Sequence, residues 1–391
     1  IFMKKAKKVF VKILAAILAI IFAVCAVCGI YYAASRSCTL TVKVDTKSPL
    51  RDFYGWGTSD CWWADNIDDE ETRNQIADVL FTDKGLNLDT YRYCLYGGYD
   101  PDNTVVTSEW RLGESFYYYN EQSGSYEYDW SKSENAMLQA ALDRGVDTVV
   151  LFANSPHYSM CINGRSSGAD DGESSNISPE KYQDYVDYFL TITQHFIDEG
   201  VPVKFISPIN EPQWGWGGES PAQEGCHYEK EQAVEILKLF AKGIKERNMD
   251  VKLCALESGN IGDTAKGYYE AMAADEDISS VLGVHSFHSY FNDTNALKKS
   301  KFGKWIDKNV SVRSDMSEWC ELPSAHDASD PATACIMARV ISNDISKLNV
   351  NAWCNWVAVN EIGVGDDGKD YSDGLLVADP NNTADYYTAY R

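Results

Sequence analysis

Histidine is scarce in this chain of 391 residues: six are present, scattered rather than spaced as metal ligands. His285 and His288 stand three apart on a strand-like run, which points them to opposite faces. Basic residues are also few. Lys and Arg number 35 against 58 Asp and Glu, a formal charge of −23 that argues against nucleic acid as a partner. The 11 cysteines show no zinc-like spacing. Outside the N-terminal leader they are odd in number, and most read as small buried hydrophobes rather than a disulfide framework. The turn "CLYGGYDP" (94–101) is not a glycine-rich phosphate fingerprint, so a dinucleotide-binding sheet lacks its signature. No short-period repeat and no long low-complexity linker occur. No metal and no other cofactor is expected.

Apolar and aromatic residues are abundant. The chain is 45% hydrophobic, with 11 Trp and 24 Tyr, enough to bury a large core. Its first 35 residues stand apart. Lys4, Lys5, Lys7, Lys8 and Lys12 form a basic head, and 13–34 is almost wholly apolar. That pattern is a secretory signal or an uncleaved anchor, with Ala33-Ala34-Ser35 offering small residues for cleavage. The remainder is therefore expected outside the cytoplasm, secreted or anchored at the cell surface. Membrane contact is expected only through this segment.

Beyond the leader, apolar strand-like runs recur at 88–95, 148–153, 203–209, 251–256, 281–287, 310–316 and 350–357. Amphipathic helix patterns lie between them at 70–80, 131–144, 179–199, 229–248, 296–304 and 331–348. Strands alternating with helices imply parallel pairing. Seven or eight such units predict an α/β fold, a (β/α)8 barrel.

A barrel directs attention to the carboxyl ends of its strands, where catalytic groups sit. Those ends carry Arg92, Asn154, Asn210-Glu211, Glu257, His288 and Tyr290, Glu318, and Trp356. Two carboxylates on different strands can cleave an acetal with retention if they stand about 5–5.5 Å apart. Glu211 and Glu318 form the best pair. Glu211 follows a buried run and is fenced by Asn210 and Pro212, and Glu318 ends another such run. Glu211 would be the acid/base and Glu318 the nucleophile. Asn210 could hold the sugar's 2-hydroxyl, and Tyr290 and Arg92 could hydrogen-bond Glu318 and keep it ionised. Trp319 and Trp356 offer flat faces to a pyranose ring. Glu257 is the rival carboxylate.

The chain resembles glycoside hydrolase family 30, a branch of the retaining (β/α)8 glycosidases, over about residues 40–391. "YGWGTSDCWWAD" (54–65) is similar to the family's opening segment. "LFANSPHYSM" (151–160) resembles its Ser-Asn-Ser-Pro-Pro strand, with Ala153 and His157 as departures. "PINEP" (208–212) resembles its acid/base motif, "MSEW" (316–319) its nucleophile motif, and "HSY" (288–290) its His-x-Tyr element. The resemblance implies the same roles for Glu211 and Glu318. It adds Trp63 and Trp214 to Asn210, Arg92, Asn154, His288, Tyr290, Trp319 and Trp356 as expected substrate contacts. The doubled Trp of "SDCWWAD" is most like the bacterial endo-β-1,6-galactanase branch, which implies a polysaccharide or oligosaccharide substrate. Other activities stay open: β-1,6-glucanase, glucosylceramidase-like or xylanase action, and, in a different class, non-catalytic carbohydrate binding at a surface.

The resemblance also implies a β-sandwich beside the barrel. Residues 36–57 would be its leading segment, with "CTLTVKVDTK" (38–47) alternating as a strand, and 58–391 would be the catalytic barrel. The family's C-terminal sandwich strands would lie past "ADYYTAYR" (384–391), where a final helix is expected to begin.

Overall fold

The computed structural model describes residues 2–36, 44–47, 51–113, 118–120, 125–128, 132–322, 331–361, 373–378 and 386–388. They fall into two compact units, Ile1–Leu50 and Arg51–Arg391. The first holds one long helix, Phe2–Arg36, whose stretch Val11–Tyr32 is long and apolar enough to cross a membrane. Most of the expected leading sandwich strand lies outside the described residues.

The second unit is a closed eight-stranded barrel. Its strands are β1 (Gly55–Ser59), β2 (Thr90–Cys94), β3 (Thr148–Phe152), β4 (Val203–Ser207), β5 (Lys252–Ser258), β6 (Leu282–His288), β7 (Arg313–Glu318) and β8 (Ala352–Val357). Each pairs in parallel with the next, and β8 closes on β1 through Gly55↔Ala352 to Thr58↔Asn355. The helices are α1 (Glu70–Phe81), α2 (Lys132–Leu142), α3 (Tyr182–Asp198), α4 (Lys230–Glu246), α5 (Asp263–Ala273), α6 (Glu276–Val281), α7 (Ala296–Asn309) and α8 (Pro331–Asn343). This is the (β/α)8 architecture that the alternating runs predict.

Central strands such as "TVVLF" in β3 are buried throughout, as a parallel sheet covered on both faces requires. The helices dock by one apolar stripe. In α3, Tyr185, Phe189 and Ile192 are buried, and Phe189 meets Phe240 of α4 edge to face at 5.5 Å. Local signals set the helix starts. Asp69 caps α1 by accepting from the Thr72 backbone N–H at 2.8 Å, and Glu229 with Gln232 forms a capping box on α4.

β1 departs from the expected pattern. "GWGTS" is no apolar run, and it begins at 55, inside the segment assigned to 36–57. The physical reason is contact distance. A Cβ on Gly57 would meet Cys354 Sγ and the Thr90 side chain, so glycine stands where a bulky residue would otherwise mark a strand. The final segment also differs. Tyr386–Thr388 pairs antiparallel with Leu376–Ala378, which pairs in parallel with Val359–Glu361. Tyr and Thr favour this extended state over the expected helix.

One buried ion pair ties several elements together. Lys299 Nζ of α7 donates to Asp344 at 2.5 Å, and both are fully buried. Asp344 also accepts from Ser289 Oγ at 3.0 Å and from Trp353 Nε1 of β8 at 3.1 Å. Ser289 sits between His288 and Tyr290, so this knot anchors the loop that leaves β6 for the barrel mouth.

Seven cysteines (61, 94, 161, 226, 254, 320 and 354) are buried and free, as small hydrophobes would be.

Candidate active site

The mouth of the barrel is built from the ends of β2, β4, β5, β6 and β7. Pro208-Ile209-Asn210-Glu211-Pro212 leaves β4 as an irregular turn, anchored where Tyr185 of α3 donates to the Pro208 carbonyl at 2.7 Å. Glu211 has φ of 44°, a left-handed conformation uncommon outside glycine. Its N–H donates to the Glu257 carbonyl at 2.9 Å. Its own carbonyl accepts from the Trp214 N–H at 3.1 Å and from Trp216 Nε1 at 3.2 Å. The indole-rich stretch after the turn therefore holds Glu211 in place. Gly259, beyond β5, completes the fit: a Cβ there would run into Trp214 Nε1 and Glu211 Oε1.

His288 ends β6 and is surrounded by carboxylates. Its Nδ1 lies 2.8 Å from Glu211 Oε1 and 3.5 Å from Glu318 Oε1, and its Nε2 lies 3.2 Å from Glu257 Oε2. Arg92 on β2 reaches Glu318 Oε2 with Nη1 at 3.1 Å and Glu257 Oε1 with Nη2 at 3.8 Å. Tyr290 donates to Glu318 Oε1 at 3.2 Å. Glu211, His288 and Glu318 each present an atom within 4.8 Å of the others, so the two carboxyl groups are close neighbours across the mouth.

These contacts set the charges. Burial opposes a cation at His288, but Glu318, Glu211 and Glu257 overcome it and raise the imidazole to about 10. Burial would raise Glu257, yet Arg92 and His288 hold it down at about 2. Glu318 goes the other way: burial lifts it above the usual carboxylate range despite His288 and Arg92. The hydrogen bonds expected from Arg92 and Tyr290 are present, but desolvation outweighs them, so the expected net hold on the ionised form is not met.

Glu257, the rival carboxylate, is 0% exposed. It accepts from Ser207 Oγ at 2.9 Å and from Ser317 Oγ, in addition to its two cationic neighbours. It lies beneath the mouth as the counter-charge of Arg92 and His288. Neither serine stands out in the sequence: Ser207 lies inside an apolar stretch, but Ser317 belongs to the mixed strand "RSDMSE", where nothing singles it out.

A second polar relay approaches Glu211 from β3. Asn210 Nδ2 donates to Asn154 Oδ1 at 3.0 Å, and Asn154 Nδ2 donates to Glu224 Oε1 at 3.3 Å. Glu224, which sequence reasoning missed, also accepts from the Gly97 N–H at 2.8 Å, and burial pushes its carboxyl up to about 7. Asn210 Oδ1 is buried and has no hydrogen-bond partner among the described residues.

The expected aromatic contacts divide by exposure. Trp356 is 6% exposed and packs edge to face with Trp62 at 5.6 Å and Phe152 at 6.3 Å. Trp319 is 1% exposed, with Nε1 donating to Asp293 Oδ1 at 3.0 Å. Trp63 is buried and donates to the Ser59 carbonyl. Trp214 is half-buried and meets Phe291 edge to face at 6.0 Å.

Residues 39–377 match the sequence profile of O-Glycosyl hydrolase family 30. The chain is 26% identical over 368 residues to an endo-beta-1,6-galactanase of Hypocrea rufa, covering 88% of this chain and 70% of that one. It is 22% identical over 444 residues to an exo-beta-1,6-galactobiohydrolase of Bifidobacterium longum subsp. longum, covering 86% of this chain and 28% of that much longer one. Among solved structures, a conserved exported protein from Bacteroides fragilis superposes with a TM-score of 0.73 at 22% identity, covering 89% of this chain and 78% of that one.

Proposed function

From the premise that this chain belongs to O-glycosyl hydrolase family 30, and is an O-glycosyl hydrolase, we propose that it cleaves β-1,6-linked galactan by a retaining, two-glutamate double displacement. The observation that carries the mechanism is the pair Glu211 and Glu318, which present atoms within 4.8 Å of one another and both face His288 Nδ1. That proximity suits direct attack and leaves no room for the wider gap an inverting pair needs for its water.

In the first step Glu211 gives its proton to the glycosidic oxygen as the bond from C1 to that oxygen breaks. A carboxylate oxygen of Glu318 forms the new bond to C1. In the second step Glu211, now a carboxylate, takes a proton from water. The water oxygen bonds to C1 and Glu318 departs. The proton required on Glu211 at the start leaves two carboxylates, Glu257 and Glu318, facing two cations, Arg92 and His288. Arg92 and Tyr290 orient the nucleophile. His288 has both ring nitrogens engaged by carboxylates, so it frames the pair rather than gripping a hydroxyl. Asn210, whose buried Oδ1 has no partner among the described residues, would accept the 2-hydroxyl of the bound sugar. Of the expected indoles, Trp214 is the half-buried one beside Glu211, whereas Trp63, Trp319 and Trp356 are buried and offer the sugar no open face.

The galactan specificity rests on the activities of the two relatives, one endo-acting and one exo-acting. We take the endo action of the first, and a product-length series from β-1,6-galactan distinguishes the two. For the mechanism, Glu318→Gln is expected to abolish turnover of every glycoside. Glu211→Gln should spare activated aryl glycosides in the first step, whose leaving groups need little protonation. Equal losses on activated and natural substrates in both variants would undo the assignment. Faster cleavage of β-1,6-glucan or xylan than of β-1,6-galactan would overturn the sugar.

A further inference from the structure

Phe291 follows the His288–Tyr290 segment and is 72% exposed, although its neighbours are tightly held. Tyr290 bonds to Glu318. Asn292 is buried, and its Nδ2 donates to the Tyr290 carbonyl at 2.6 Å. Asp293 accepts from Trp319 Nε1 at 3.0 Å. Phe291 itself has φ of 60°, a left-handed conformation that a bulky residue rarely adopts. The loop thus fixes every neighbour and uses an unfavourable backbone conformation to hold one large apolar ring in solvent. Packing does not account for that ring: it is mostly in solvent, and among the described residues its aromatic neighbours are Trp214, at 6.0 Å and 87°, and Tyr290. An observed backbone outlier beside a reactive centre points to function.

Its position assigns the side of the site. Trp214 donates its N–H to the Glu211 carbonyl, and its indole lies at the Gly259 position that also borders Glu211 Oε1. Trp214 therefore borders Glu211, the group that protonates the departing oxygen, and Phe291 meets Trp214 edge to face. The sugar released in the first step must lie on that side.

We propose that Phe291, braced edge to face by Trp214, is the stacking platform for the leaving-group galactosyl unit, on the side of the cleaved bond away from Glu318. The proposal rests on the acid/base role of Glu211 given above. Galactopyranose presents the C–H bonds of C3, C4 and C5 on one face, which suits an aromatic ring. A 1,6 linkage adds a rotatable exocyclic bond, so a bound chain gains from a fixed platform that orients the departing unit. Phe offers no hydrogen bond, so the platform selects for that apolar face and tolerates several chain conformations.

The test compares Phe291→Ala, Phe291→Gly and Phe291→Trp with wild type on two substrates. One is an oligosaccharide series of the glycan that wild type cleaves fastest. The other is the matching glycosyl fluoride, which has no sugar and no ring on the leaving-group side. Phe291→Ala should lower kcat/KM on the oligosaccharides roughly three- to tenfold and leave the fluoride unchanged. Phe291→Trp should restore most of the loss. Phe291→Gly removes the ring and the unfavourable φ together, so it should lose activity as Ala does while its Tm equals or exceeds wild type. Equal effects on fluoride and oligosaccharides, or none on either, would overturn the platform. A wild type that prefers another glycan sinks the galactan reading and leaves this comparison intact. A wild type inactive on every glycan overturns both.

Discussion

Three carboxylates meet at the barrel mouth, and their surroundings separate them. Glu257 is held down at about 2, whereas burial raises Glu318. The linkage follows from the direction of each shift. A carboxylate with a depressed folded value contributes stability that is present above its unfolded value near 4.5 and lost as pH falls through about 2. His288 is the opposite case. Its stabilisation is complete below 6.5 and is lost as pH rises through about 10. These two groups alone predict a plateau between about pH 4.5 and 6.5, on which Glu318, raised by burial, superimposes a loss as pH rises above 4.5. Glu257→Gln leaves Arg92 and His288 without their shared buried counter-charge. It should cost on the order of 3 kcal/mol at pH 6 and flatten the decline of Tm between pH 4.5 and 2. A variant with wild-type Tm at pH 6 and an unchanged acid slope would show that Glu257 does not carry this charge balance.

At the scale of elements, two loop turns fit against each other to aim Glu211. The Glu211 N–H binds the Glu257 carbonyl, and both residues have positive φ, 44° and 46°. The β5 loop must pass Trp214 and Glu211 closely, and Gly259 permits it. Gly259→Ala should therefore push the Glu211 carboxylate from His288 and lower kcat/KM at least tenfold, while Tm falls by only a few degrees because the barrel is untouched. An Ala variant with full activity would mean that the turn has slack. Such cross-loop contacts mark the boundary of what sequence reasoning reached. Seven barrel strands were legible because a parallel strand covered on both faces is an apolar run. β1 was not, because close approach to Cys354 demands glycine. The helices α5 and α6 were passed over, since "AMAADEDISSV" (271–281) breaks a single periodic stripe into two short pieces. Glu211, Glu318, Arg92 and Tyr290 were legible as polar residues at strand ends. The shared burial of Glu257, Ser207 and Ser317 was not, because it depends on which strands face each other across the barrel.

At the scale of the whole chain, the helix Phe2–Arg36 carries a basic start followed by the apolar stretch Val11–Tyr32. Lys4, Lys5, Lys7 and Lys8 precede that stretch, and no acidic residue lies within the first 35. Positive charge before an apolar helix is retained on the cytoplasmic side, so we propose that this helix directs the sequence that follows across the membrane. A polymer such as galactan does not enter a cell, so this orientation brings the proposed enzyme to its proposed substrate. Replacing Lys4, Lys5, Lys7 and Lys8 by Glu should weaken or invert that orientation without touching the barrel. In intact cells, protease added outside should then digest the barrel of the wild-type chain and spare that of the variant. Galactan hydrolysis by the same cells should fall in proportion, while lysates of both retain equal activity. Protection of the wild-type barrel from external protease would rule out export by this helix.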